Sequence, residues 1–233
     1  MSDALFEILR KVTTATITTM LLKKGIRRCW MNGPKPLSPT GERIVGPAFT
    51  LRFVPVREDL ATPESWASPI STRAAIEAMP EGVIAVADAM GEMGAGIFGD
   101  ILCARMKKRN VAALVTDGVM RDRAGVVTSA LPVWCAGVAA PASVNGLTFV
   151  GWEEPIACGG CAIFPGDVIV VDDDGAVVIP KALVEFAAHE GAEHELYESW
   201  VFSEVEKGVK LPGLYPPNDD AKARYAAWRK SRG

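Results

Sequence analysis

Residues 82–122 read GVIAVADAMGEMGAGIFGDILCARMKKRNVAALVTDGVMRD, and the order of patterns within them decides the fold class. The opening GVIAVAD (82–88) is a short apolar run ended by a charge, as in a buried strand. Residues 100–109 predict a helix that closes on Lys107, Lys108 and Arg109, cations suited to the negative end of a helix dipole. VAALVT (111–116) is a second buried strand, so the stretch predicts a parallel βαβ unit. Asp117-Gly118-Val119-Met120-Arg121-Asp122 then leaves that strand at its carboxyl end, where α/β sheets usually bind ligands. Asp122 offers a hard oxygen ligand for magnesium or manganese. Arg121 offers a planar fork for a carboxylate or a developing enolate oxygen. The plain alternative is a surface turn whose Asp and Arg pair locally.

Inside the same stretch, Gly94-Ala95-Gly96-Ile97-Phe98-Gly99 matches the G-x-G-x-x-G dinucleotide fingerprint, with Asp117 ending the next strand. Three features argue against that use. Residues 89–93 separate the first glycine from the strand, the helix is short, and the unit begins far into the chain. What survives is physical: glycines before a helix leave backbone N–H groups free for an anion, here a carboxylate.

Working outward, residues 3–24 predict one helix, threonine-rich in its second half and stopped at Gly25. Residues 30–39 form a Pro-bearing loop, 45–56 a strand, 58–69 another loop and 70–79 a short helix. Beyond residue 130 come short strands at 132–138, 147–151, 168–171 and 176–179, the last two flanking the hairpin composition of Asp172-Asp173-Asp174-Gly175. Residues 181–208 predict a long helix, and 211–218 an irregular arm before a final short helix. The expectation is one α/β domain over residues 1–208 with a C-terminal arm over 209–233, packed on the domain or on a neighbouring subunit.

The composition is ordinary for a globular protein, with 49% hydrophobic and 23% charged residues in 233. A net charge of −3 supplies no positive field for nucleic acid. The first residues mix Asp3 and Glu7 with apolar positions, unlike a secretory signal, and no apolar stretch is long enough to span a bilayer. Five cysteines, an odd count, fit reduced thiols in a cytoplasmic protein better than a disulfide framework. Cys158-Gly159-Gly160-Cys161 supplies half a zinc site with no second pair to complete it. The two histidines, His189 and His194, are spaced to face different ways on one helix.

These residues resemble the family of 4-hydroxy-4-methyl-2-oxoglutarate aldolases and RraA-like regulators of ribonuclease activity. The paired signal is Gly99-Asp100-Ile101-Leu102, then Asp117-Gly-x-x-Arg121-Asp122 after a helix and a strand. It is extended by Val45-Gly46-Pro47-Ala48, Cys158-Gly159-Gly160, Phe164-Pro165-Gly166-Asp167 and Asp174-Gly175 through Pro180. The resemblance implies an α/β/β/α sandwich of trimers or hexamers and class II aldolase or oxaloacetate decarboxylase chemistry. It implies a divalent cation, magnesium first, with manganese or cobalt able to replace it. Asp122 would hold the metal, Asp100 would orient a metal-bound water, and Arg121 would bind the pyruvyl carboxylate and 2-oxo group. Backbone amides from Gly99 through Ile101 to Leu102 would hold the substrate carboxylate. A glutamate on a neighbouring subunit's C-terminal helix would complete the site, Glu195 first and Glu198 next. The expected partners are therefore a small 2-oxo acid and further copies of the chain, with no nucleic acid and no membrane. The competing readings are a non-enzymatic regulator that binds a ribonuclease, and a dinucleotide-binding enzyme. Keeping Asp100, Asp117, Arg121, Asp122 and C-terminal glutamates together favours the enzyme.

Overall fold

The computed structural model describes residues 3–231, so the expected outer limits at residues 1 and 233 lie outside the described residues. Its strands are β1 (Lys35–Pro36), β2 (Ile44–Pro55), β3 (Ile84–Asp88), β4 (Ala113–Thr116), β5 (Val119–Met120), β6 (Val133–Cys135), β7 (Gly137–Val138), β8 (Leu147–Trp152), β9 (Val168–Asp172) and β10 (Gly175–Ile179). Its helices are α1 (Asp3–Leu9), α2 (Thr14–Lys23), α3 (Thr72–Ala78), α4 (Asp100–Lys108), α5 (Arg123–Thr128), α6 (Val184–Glu206) and α7 (Asp219–Lys230). Among the described residues no helix is long and apolar enough to cross a membrane.

The predicted βαβ unit is present, with β3 parallel to β4 and β4 parallel to β6. The longest strand, β2, organises the rest. It runs parallel to β3 over residues 48–52, while its other edge pairs antiparallel with β9 over 44–47 and with β8 over 51–55. In the pairing with β8 the register shifts opposite Arg52 and Phe53, where Val150 is the extra residue that bulges β8. The sheet follows the order β1-β6-β4-β3-β2-β9-β10. Its two ends approach through residues 29–36: the Met31 N–H donates to the Ala176 carbonyl at 2.9 Å, and the Val178 N–H to the Cys29 carbonyl at 2.8 Å. The result is a nearly closed, barrel-like sheet.

Both faces of the sheet are buried, which explains why the strands read as continuous apolar runs rather than alternating ones. Ile84, Val86, Ala113 and Val115 join one core with Leu9, Ile17 and Ala187 from α1, α2 and α6. Ala85, Ala87 and Leu114 face the other core, with Ile76, Cys103 and Val126 from α3, α4 and α5. Successive strand residues thus serve opposite cores, as the two-residue period requires. Trp134 is fully buried, and its indole N–H is satisfied by the Asp172 carbonyl at 2.8 Å.

The expected helix over 3–24 is two helices. The chain breaks before Thr13, whose hydroxyl accepts from the Thr16 N–H and caps α2, so the first threonines mark a helix start while Thr16, Thr18 and Thr19 lie within α2. Residues 209–231 fold back on the distal half of α6, where Trp200, Val201, Leu214 and Ala221 form a separate small core with Tyr197 and Tyr225 against it.

Close approach at β2 has a measurable consequence. A Cβ added at Gly46 would sit 2.6 Å from the Gly82 carbonyl oxygen, which the sheet holds in place. Gly46→Ala should cost about 1–3 kcal/mol, lowering Tm by roughly 2–12 °C in a melt followed by circular dichroism. An unchanged Tm would mean that this strand is free to shift.

Candidate functional site

Two helix starts and one glycine loop build the site. Residues 96–98 lie alongside 119–121: the Ile97 N–H donates to the Val119 carbonyl at 2.9 Å, and the Arg121 N–H to the Phe98 carbonyl at 3.0 Å. A Cβ on Gly96 would meet the Arg121 backbone nitrogen and Cβ at 2.8 Å, so this glycine lets the loop lie flat on the arginine. A Cβ on Gly99 would fall 2.6 Å from an Asp122 carboxylate oxygen, and one on Gly125 would fall 2.5 Å from an Asp100 oxygen. Gly96 and Gly99 of the apparent dinucleotide fingerprint therefore make room for the chain's own arginine and aspartate. Asp122 precedes α5 with φ 53°, a left-handed conformation that aspartate and asparagine tolerate better than other side chains. Asp100 opens α4, so both carboxylates sit at positive helix ends.

All the residues expected to bind substrate or metal in the core motif line one cleft of about 290 Å³: Gly99, Asp100, Ile101, Leu102, Arg121 and Asp122. Arg121 Nε donates to Asp122 Oδ2 at 3.0 Å. This is the local pair that the plain surface-turn reading anticipates, set here in a cleft. Asp100 Oδ1 accepts from the Ile101 N–H at 2.7 Å. Among the described residues the N–H groups of Gly99, Asp100 and Leu102 donate to no protein acceptor, leaving them for an anion. The cleft also contains residues that sequence reasoning missed, Trp66, Thr72, Arg73 and Ser143. They arrive from a Pro-bearing loop, a short helix and a 3-10 turn, and none carries a spacing signal of its own.

Asp117 lies outside this cleft and holds the framework behind it. Its Oδ1 accepts from the Ala89 N–H at 2.8 Å and its Oδ2 from the Gly159 N–H at 3.0 Å. Neighbouring Asp88 accepts from the Ala157 N–H at 3.0 Å and the Met90 N–H at 3.1 Å. The Asp-Gly and Cys-Gly-Gly motifs are thus halves of one hydrogen-bonded junction. Burial pushes the Asp117 carboxyl above the usual range against the pull of its backbone donors, and nearby Asp88 adds to the rise. Cys158 and Cys161 are buried free thiols. Burial raises both, Cys161 to about 11, and Cys161 Sγ donates to the Trp30 carbonyl. Among the described residues no three His, Cys, Asp or Glu side chains converge as a metal cluster.

Glu195 is placed away from Arg121 within the protomer, at the start of α2. One of its oxygens accepts from the Thr13 N–H at 2.8 Å and the Thr13 hydroxyl at 2.7 Å. Asp172 makes the equivalent pair with Thr14, at 2.9 and 2.7 Å, so two carboxylates clamp this helix end. Glu198 accepts from the Tyr215 hydroxyl at 2.7 Å and lies 3.1 Å from His194.

This fold and this pairing of Gly99-Asp100 with Arg121-Asp122 define a class. Residues 12–178 match the RraA-like family, described as Aldolase/RraA, and the chain belongs to that family. A Halalkalibacterium halodurans protein whose name proposes a 4-hydroxy-4-methyl-2-oxoglutarate aldolase is 37% identical over 152 residues, 65% of this chain and 66% of that one. Protein DlpA of Legionella pneumophila is 28% identical over 177 residues, 76% of this chain but 28% of its own length. The chain therefore spans less than two thirds of either relative. The crystal structure of Streptomyces coelicolor RraAS2, described as an unusual member of the RNase ES inhibitor RraA protein family, aligns with a TM-score of 0.77. It is 34% identical, covering 86% of this chain and 96% of that one.

The Glu195 clamp should show in the pH dependence of stability. Burial pushes this carboxyl up, but hydrogen bonds from Thr13 and Thr16 together with the nearby Arg43 charge outweigh it and hold it below its ordinary value of 4.5. A depressed carboxyl contributes stability that is present above pH 4.5 and lost as pH falls through the folded value. Glu195→Gln should therefore lower Tm at pH 7, and the difference from wild type should shrink below pH 4.5. A Tm difference independent of pH would contradict the clamp.

Proposed function

We propose that this chain is a divalent-metal-dependent lyase of small 2-oxo acids. It cleaves a 4-hydroxy-2-oxo acid to pyruvate and a carbonyl fragment, or decarboxylates oxaloacetate. The observation that carries the reading is the convergence of Arg121, Asp100 and Asp122 with unpaired N–H groups at the start of α4, in one cleft. A panel of 2-oxo acids assayed for pyruvate release tests it. Release from none of them, with a folded protein and magnesium present, would reject it.

The donor set fits a hard cation. Gly99 and Gly125 leave space where side chains would crowd the carboxylates, and Asp122 Oδ1 makes no hydrogen bond among the described residues. With few protein ligands, most positions would fall to water, a habit of magnesium. When bound, the cation supplies Lewis-acid stabilisation of the charge that grows on the 2-oxo oxygen. Arg121 grips the pyruvyl carboxylate and 2-oxo oxygen and stabilises the enolate left when the C3–C4 bond breaks. The free N–H groups at the start of α4 fix the carboxylate. In retro-aldol cleavage Asp100 relays the proton lost by the C4 hydroxyl, and a proton returned to C3 completes pyruvate. In decarboxylation carbon dioxide leaves in place of the carbonyl fragment.

The Streptomyces likeness supports a second reading, a regulator that binds a ribonuclease, which an RNase-inhibition assay separates from the first. The lyase reading also includes assembly into trimers or hexamers with shared sites. Ile101, at the cleft, is 78% exposed, an apolar side chain so placed suiting a surface that another subunit covers. In that assembly a glutamate of α6, Glu195 or Glu198, would reach the neighbouring cleft.

Chelation by EDTA should abolish pyruvate release, and magnesium or manganese should restore it. Persistent activity would reject the metal requirement. Arg121→Lys should lower kcat by about 10²–10³, because a point charge cannot reproduce the fork. Asp122→Asn keeps the left-handed backbone and should raise the magnesium concentration needed for half-maximal rate. Near-wild-type kinetics in both variants would move the site elsewhere. Arg121→Ala and Glu195→Ala (or Glu198→Ala), each inactive alone, should recover activity when refolded together. Failure of verified mixed oligomers to recover would reject shared sites.

A further inference from the structure

Arg73 is a cation in the catalytic cleft with no anion to satisfy it. It lies in the first turn of α3, lines the same cleft as Arg121, and makes no ion pair or hydrogen bond among the described residues. Its natural partner is Glu77, one helical turn on. Glu77 is already taken: Arg105 Nε and Nη2 both donate to it at 2.7 Å, and Arg109 lies 3.3 Å from it. The Arg73 guanidinium instead sits 4.7 Å from the centre of the Trp66 ring, on the 3-10 turn Pro63–Ala67. Stacking on an aromatic face fixes a guanidinium plane while leaving its N–H edge free for a planar anion. Thr72 and Ser143 line the same cleft, and no hydrogen bond among the described residues engages either hydroxyl.

The charges of the cleft point the same way. Its charged residues are Arg73, Arg121, Asp100 and Asp122, which cancel. A divalent cation would leave two positive charges, and the substrate's 2-oxo carboxylate answers only one of them. We propose that Arg73, seated on Trp66, is a specificity-determining residue that binds a second carboxylate on the leaving half of the substrate. The site accordingly selects dianionic over monoanionic 2-oxo acids. This rests on the 2-oxo acid reading of the cleft, with Arg121 at the reacting end and Arg73 at the distal end.

Oxamate and N-oxalylglycine make the test, because both carry the 2-oxo acid mimic and only the second adds a distal carboxylate. Binding is measured by calorimetry with magnesium present, on the full chain. Wild type should bind N-oxalylglycine about tenfold or more tightly than oxamate, the worth of one charge-assisted pair. Arg73→Ala should bring the two ligands close to equal while leaving oxamate unchanged. Trp66→Leu should remove part of the preference, and Arg73→Lys should keep part of it. Arg73 is exposed, so its variants should melt like wild type, which is checked first. A preference that survives Arg73→Ala, or none in wild type, overturns the assignment. Failure of folded wild type to bind either ligand instead rejects the 2-oxo acid reading on which the assignment stands.

Discussion

Asp117 accepts hydrogen bonds from the N–H groups of Ala89 and Gly159, and this pair of bonds joins three loops that chain order keeps far apart. The loop after β3, the turn after β4 and the Cys-Gly-Gly turn meet on one buried carboxylate. Gly118 follows without a side chain because a Cβ there would fall 2.5 Å from that of Ala89. From this fixed point the chain pairs with residues 96–98 and delivers Arg121 and Asp122 beside the start of α4. The carboxylate is expensive to bury, burial pushing it above the usual carboxylate range, and the backbone donors it satisfies offset that cost. A group of this kind contributes geometry more than net stability. Arg121 and Asp122 remain half exposed, while the buried carboxylate behind them ties down the turn that carries them.

The βαβ unit was legible because its signals are local: two apolar runs, a helical period between them, and cations at the helix end. The core of the site was legible because Gly99-Asp100 and Arg121-Asp122 sit at the two turns that such a unit must place together. The helix break before Thr13 was not, since its cause is non-local: Glu195 and Asp172 come from far along the chain to clamp the start of α2. The short α5 was missed for a related reason. Its six residues contain a glycine and two valines, poor helix formers, and it exists because Asp122 turns the chain into it. Arg73 and Trp66 carry no motif, and only the fold brings their loop over the cleft. The residues matching the family end at 178, before α6 begins, so the α6 glutamates had no matched frame to anchor them.

Within the cleft, the fold and the chemistry make compatible demands. Anions are favourable at helix starts, and here Asp100 opens α4 while Asp122 immediately precedes α5. Arg121 pairs with Asp122 and still lines the cleft. The RraA-like fold hosts both proteins named as aldolases and a member of a ribonuclease-inhibitor family, so architecture alone does not choose between them. The choice falls to side chains in the cleft.

The long helix α6 belongs to two cores in succession. Its early turns press Ala187, Ala188 and Gly191 toward the domain, close enough that a Cβ on Gly191 would fall 2.6 Å from Val12. Its late turns leave the domain, and Trp200 and Val201 are covered instead by the arm, with Glu193 gripping Arg229 and Glu204 gripping Arg224. Because this second core draws on few domain residues, the arm is a module in the evolutionary sense. Changes in its length or surface would fall on contacts within this second core rather than on the barrel. Divergence in the arm would then record adaptation to whatever surrounds each protein, while the cleft kept its chemistry.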